Sequence, residues 1–170
     1  MTTTRTMIHV ASGQIVCHPG DVEGNLIQIE ELTRLAAQAG VRLILFGEAA
    51  LTGYLLTERV VEQAIRSDSP VIDRLRRLAA ETGTVVVPGA FERSTEGLHV
   101  SQFVVCPGGD VLVQRKYNLT EDEKRRMVPG SLERLMFPVD GVTTAVGICA
   151  DNDTPDIHRT TRARGCRLWL

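Results

Sequence analysis

The chain has 170 residues, 43% of them hydrophobic and 24% charged, with a formal net charge of −2. That length can bury one sizeable core, the composition excludes a disordered chain, and the charge excludes the basic surface that nucleic acid or anionic lipid would need. No apolar run approaches the roughly 18 residues that span a bilayer and the first residues are polar, so a soluble, unexported, cytoplasmic protein is expected, with no membrane partner. Met7 to Val16 predicts a buried strand. A helix follows over Val22–Gln38, with Asp21 as cap, Gly40 as stop, and Leu26, Ile29, Leu32 and Ala36 facing inward. Val41 to Phe46 is nearly continuously apolar, the pattern of a strand covered on both faces, and Glu48 falls just past its end. Ser69-Pro70 opens a second helix that buries Leu75, Leu78 and Ala79 and ends at Gly83. Short β-rich runs then span Thr84–Phe91, His99–Cys106 and Val111–Tyr117, separated by the turns Ser94 to Gly97 and Pro107 to Asp110. A polar loop from Asn118 to Ser131 leads through Leu135–Phe137 and the turn Asp140-Gly141 to a strand ending at Cys149. A last helix covers about Thr154–Arg164, and Cys166–Leu170 begins one more strand. Strands alternating with helices at both ends, with hairpins between and no linker, imply a single α/β layered domain over residues 1–170 with a mixed sheet.

Sites in such folds lie beyond strand ends, and Glu48, Lys116 and Cys149 each occupy or adjoin one. A carboxylate, an ammonium and a thiol can therefore converge there. Cys149 also precedes the helix signal Asp153-Thr154-Pro155, and a helix N-terminus would lower its thiol pKa from about 8.5 toward neutrality and make the sulfur a nucleophile. The competing reading is a small buried hydrophobe, the commonest fate of a free cysteine. Lys116 and Lys124 are the only lysines among 19 basic residues. Cys17, Cys106, Cys149 and Cys166 form no C-x-x-C pair and lack metal-ligand spacing, so reduced thiols are expected and no metal.

These neighbourhoods resemble, in order as well as in type, the carbon–nitrogen hydrolase (nitrilase) superfamily. Leu43 to Glu48 followed by Leu51-Thr52-Gly53-Tyr54 is similar to its first motif, Arg115-Lys116 with Leu119, Glu123 and Pro129-Gly130 to its second, and Gly147-Ile148-Cys149-Ala150-Asp151 with Pro155-Asp156, Arg159 and Gly165 to its third. Gly20-Asp21 and Asn25 fit the opening pattern. The resemblance implies a layered α-β-β-α sandwich with mixed sheets. It also implies hydrolysis of a small amide or nitrile through a Cys149 thioester, without cofactor; a homo-oligomer is expected from the apolar last strand. Glu48 would be the general base, and Lys116 with the amide after Cys149 would hold the oxyanion. Glu123 matches a second glutamate that orients the site, although its acidic run, Thr120 to Lys124, reads as exposed; Tyr54 and Ala150 fall at substrate-side positions, with Tyr54 packing or positioning its loop.

Two departures stand out. Gly47 replaces the usual proline before Glu48, which loosens the backbone but keeps the carboxylate. The family's chain also continues where this one stops at Leu170, so an incomplete domain is expected, at best weakly active and prone to associate through its last strand. The alternatives are a Cys–His hydrolase, with His9, His18, His99 or His158 as partner, and a non-catalytic remnant acting as an interaction or structural protein.

Overall fold

The structure, a computed structural model, describes residues 7–170; the polar start of the chain, expected to carry no leader, falls on residues 1–6, outside the described residues. The elements in order are β1 (Val10–Gly13), α1 (Val22–Gln38), β2 (Leu43–Phe46), α2 (Glu58–Glu62), α3 (Pro70–Thr82), β3 (Val85–Val87), β4 (Gly89–Arg93), β5 (Leu98–Val105), β6 (Val111–Arg115), β7 (Met136–Val139), β8 (Val142–Ala145), α4 (Pro155–Ala163) and β9 (Leu168–Trp169). Two 3-10 turns, Glu123–Arg125 and Cys149–Asp153, carry residues of the site.

Two mixed sheets form. In the first, β1, β2 and β3 run parallel, and β5 pairs antiparallel with β3 and β4 on one edge and with β6 on the other. In the second, β7 and β9 flank β8, antiparallel and parallel respectively. Leu26 and Ile29 of α1 and Ile72, Leu75 and Leu78 of α3 pack onto Ile44, Phe46, Val86 and Phe103 of the first sheet. Its other face, through Leu43, Val85, Val87 and Val104, meets Phe137, Val139 and Val146 of the second. Beyond the second sheet, the His158 ring on α4 stacks against Trp169 of β9 with centroids 4.7 Å apart. The layers are thus α-β-β-α. Each fully buried Leu, Ile or Phe contributes about 1.5–3 kcal/mol, so the two interfaces either side of the first sheet dominate the stability.

Local chemistry explains the boundaries. Asp21 caps α1 by accepting from the Gly24 amide at 3.0 Å, and α3 starts at Pro70 and stops at Gly83, which adopts a left-handed φ of 65°. The expected single strand over Thr84–Phe91 is two strands, because Pro88 has no N–H to give the ladder; its carbonyl still accepts from Phe103 at 3.0 Å. Regular pairing of β8 stops at Ala145, short of the expected end at Cys149. The short helix α2 gave no sequence signal that was read. The last strand, β9, pairs parallel with β8. Among the described residues no helix is long and apolar enough to cross a membrane.

Candidate active site

Glu48 lies two residues beyond the end of β2, in a turn closed by the Ala50 amide on the Gly47 carbonyl at 3.1 Å. Nothing lies within 4 Å of where a Cβ on Gly47 would sit, so the turn has room for a side chain there. Gly89 is the tight residue: a Cβ there would sit 2.5 Å from the Gly47 carbonyl oxygen and 2.6 Å from the Ala49 amide nitrogen. The turn can reach β4 because that side chain is missing. After it, Gly53 takes a φ of 78° against Pro19 and directs Tyr54 into the site. Asn25, fully buried on α1, holds this segment by donating to the His18 and Leu51 carbonyls at 2.9 and 3.0 Å.

Lys116 immediately follows β6 and is buried, not a surface lysine. Its Nζ donates to Oε1 of Glu48 and to Oε1 of Glu123, both at 2.8 Å. Glu123 is fully buried, which corrects its expected exposure as part of an acidic run: the 3-10 turn points this one carboxylate inward while Glu121 and Asp122 stay in solvent. It also accepts from the Tyr54 hydroxyl at 2.8 Å and from the Thr120 amide at 2.7 Å. Burial disfavours the Glu123 anion, but the bonds from Lys116, Thr120 and Tyr54 outweigh it and hold the carboxyl below the usual range. Burial likewise disfavours the Lys116 ammonium, and the two carboxylates outweigh it and push its pKa up. Burial and the Glu123 carboxylate push the Tyr54 phenol up to about 12, so it stays a donor.

Cys149 is exposed and adopts a left-handed φ of 48° at the head of its 3-10 turn. Its thiol departs from expectation. Burial and the charge of Glu48 raise its pKa, and the opposing pull of Lys116 and the Ala150 amide does not overcome them. The segment after Cys149 is one short 3-10 turn, with α4 starting only at Pro155, so little helix dipole reaches the sulfur. Glu48 and Lys116 thus act on the Cys149 thiol in opposite directions. Ala150 is half-buried, and its carbonyl accepts from the Asn118 side chain at 2.9 Å.

The structure thus brings Glu48, Lys116, Glu123, Tyr54 and Cys149 together at the ends of β2, β6 and the segment after β8. His158 does not serve Cys149: its Nε2 donates to the Asn152 carbonyl at 2.8 Å and its ring stacks on Trp169. A cleft of about 390 Å³ opens beside Glu48, bordered by Ser12 near the end of β1 and by Gln14 and Cys17 beyond it. Among the described residues no group of three or more His, Cys, Asp or Glu is arranged to hold a metal. Sequence reasoning missed Arg134, whose side chain is fully buried and donates to Asp151 at 2.8 Å. Nothing marked it among the other arginines; Asp151 was visible only as part of the third motif.

Known proteins share this arrangement of chain. The carbon-nitrogen hydrolase family profile matches residues 9–170. A nitrilase of Pyrococcus abyssi is 30% identical over 94% of this chain and 62% of its own length. An N-carbamoylputrescine amidase of Solanum lycopersicum is 26% identical over 99% of this chain and 59% of its own. The crystal structure of an amidase from Nesterenkonia sp. superposes with a TM-score of 0.81 at 24% identity, over 96% of this chain and 63% of that one, which bears on the fold alone. The chain spans less than two thirds of each of these proteins. With its profile match running over nearly the whole sequence, the chain belongs to the carbon-nitrogen hydrolase family.

Proposed function

We propose that this chain carries the catalytic site of a hydrolase for small amides or nitriles, with Cys149 as nucleophile, Glu48 as general base, and Lys116 as oxyanion partner. The observation that carries the reading is the single buried ammonium of Lys116 bonded to two carboxylates beside an exposed thiol. With an amide, Glu48 takes the thiol proton as sulfur attacks the carbonyl carbon. That suits a nucleophile whose pKa is raised, since the proton leaves only as the bond forms. Lys116, kept charged by its two partners, and the Ala150 amide face the developing oxyanion. The proton returns from Glu48 to the departing amine, leaving a thioester, and Glu48 then activates the water that releases the acid. Glu123 holds Lys116, and Tyr54 supports Glu123 from the substrate side. A mutant amidase from Nesterenkonia sp. AN1 carries the acetamide moiety of fluoroacetamide on its active-site cysteine, and the likeness in fold supports a cysteine as the nucleophile.

A net charge of −2 supports a small-molecule partner over nucleic acid, and four free cysteines support a reducing, cytoplasmic setting.

The test is a panel of small amides and nitriles, quenched in acid and read by intact and peptide mass. An acyl adduct should form on Cys149, vanish in Cys149→Ala, and slow by about 10²-fold or more in Glu48→Gln. Turnover that survives in Cys149→Ala would refute the reading. A folded protein that acylates with no compound would return the chain to the interaction-protein alternative.

A further inference from the structure

Asp151 divides its carboxylate between the two arms of the site. Oδ1 accepts from the amides of Tyr117 and Asn118 at 3.1 and 2.8 Å, the two residues after Lys116. Oδ2 accepts from the amide of Ile148, the residue before Cys149, at 3.4 Å. The Asn118 side chain closes the same seam in the other direction, through the Ala150 carbonyl. Arg134 reaches Oδ2 at 2.8 Å from the segment before β7, and both side chains are fully buried. Its other donors are used on the Leu132 and Ser131 carbonyls, and its own carbonyl accepts from Arg164 at 2.9 Å.

A buried pair of this kind is commonly no more stabilising than apolar residues of the same volume, so stability is a poor account of it. Position is a better one. A non-glycine residue in the left-handed region is strained by about 1–2 kcal/mol, and Cys149 at φ 48° keeps that conformation only because its surroundings over-determine it. The bonds from Asp151 are those surroundings, and they tie the strained turn to the segment that carries Lys116.

We infer that Arg134 is a positioning residue for the nucleophile: acting through Asp151, it locks the Cys149 turn onto the Lys116 segment and sets how thiol, ammonium and Glu48 meet. The inference rests on the hydrolase reading for its consequence in turnover, but not for its consequence in thiol reactivity. Two measurements on the full chain separate them: the rate of Cys149 alkylation by iodoacetamide, read beside Cys17, Cys106 and Cys166, and steady-state hydrolysis of butyramide. Arg134→Met should slow Cys149 alkylation and lower kcat by about tenfold or more, with KM within about twofold and the other thiols unchanged, because a displacement near 1 Å costs about 10²-fold in such sites. Arg134→Lys, which still reaches Asp151, should recover much of both. If Arg134→Met fails to fold, the double variant Arg134→Met/Asp151→Asn, which buries no charge, decides the matter and should remain slow. Parental rates in either folded variant would overturn the inference. Should the parent alkylate but never turn over butyramide or another amide, the hydrolase reading fails, and the alkylation comparison still rules on Arg134.

Discussion

Among single residues, Glu123 is the clearest case of chemistry set by burial. Three donors converge on a carboxylate with no solvent exposure, and together they keep it ionised against the cost of burial. Replacing it with Gln removes the charge and turns an N–H toward another donor, an expected loss of about 1.5–3 kcal/mol at neutral pH. The pH dependence follows from its depressed pKa. Glu123 contributes stability above the ordinary glutamate value of about 4.3, and that contribution is lost as pH falls through the lower folded value. Urea unfolding of parent and Glu123→Gln from about pH 7 down to about pH 3 should show the gap between them closing at the acid end. A gap that stays constant over the range would show that Glu123 is not held as an anion.

For the elements, the contact between β4 and the turn after β2 decides where Glu48 sits. Gly89 begins β4, and the missing Cβ lets the Glu48 turn lie directly against it. Gly89→Ala forces main chain apart, with an expected loss of about 1–3 kcal/mol and a drop in hydrolysis larger than that loss explains. Gly47→Ala is the matching control, since open space surrounds that position and its φ lies outside the left-handed region; it should stay within about 0.5 kcal/mol of the parent. Denaturant midpoints and amide turnover, measured on both, check the pair. Equal behaviour of the two variants would mean that the close approach does not hold the carboxylate.

Across the whole molecule, the two sheets are covered differently. The first has α1 and α3 on one face and the second sheet on the other, whereas the second meets α4 through His158 against Trp169. Phe137 sits in the interface between the sheets, so Phe137→Ala should cost about 3–5 kcal/mol in urea unfolding. A loss below about 1 kcal/mol would show that this interface carries little of the stability.

Much of this protein was legible in one dimension. The buried strand of β2, the cap of α1, the proline start and glycine stop of α3, and the two hairpin turns follow from local periodicity and from Gly, Pro and Asp chemistry, which short-range sterics dictate. That Glu48 and Lys116 lie just past strand ends was legible too, since each follows an apolar or β-rich run. The depth of Glu123, the raised pKa of Cys149 and the pairing of Arg134 with Asp151 were not. Each depends on which distant segment lies opposite: burial and electrostatic partners are properties of three-dimensional neighbours. An acidic run reads as solvated until a 3-10 turn points one of its carboxylates at a buried ammonium, and only tertiary structure decides which one.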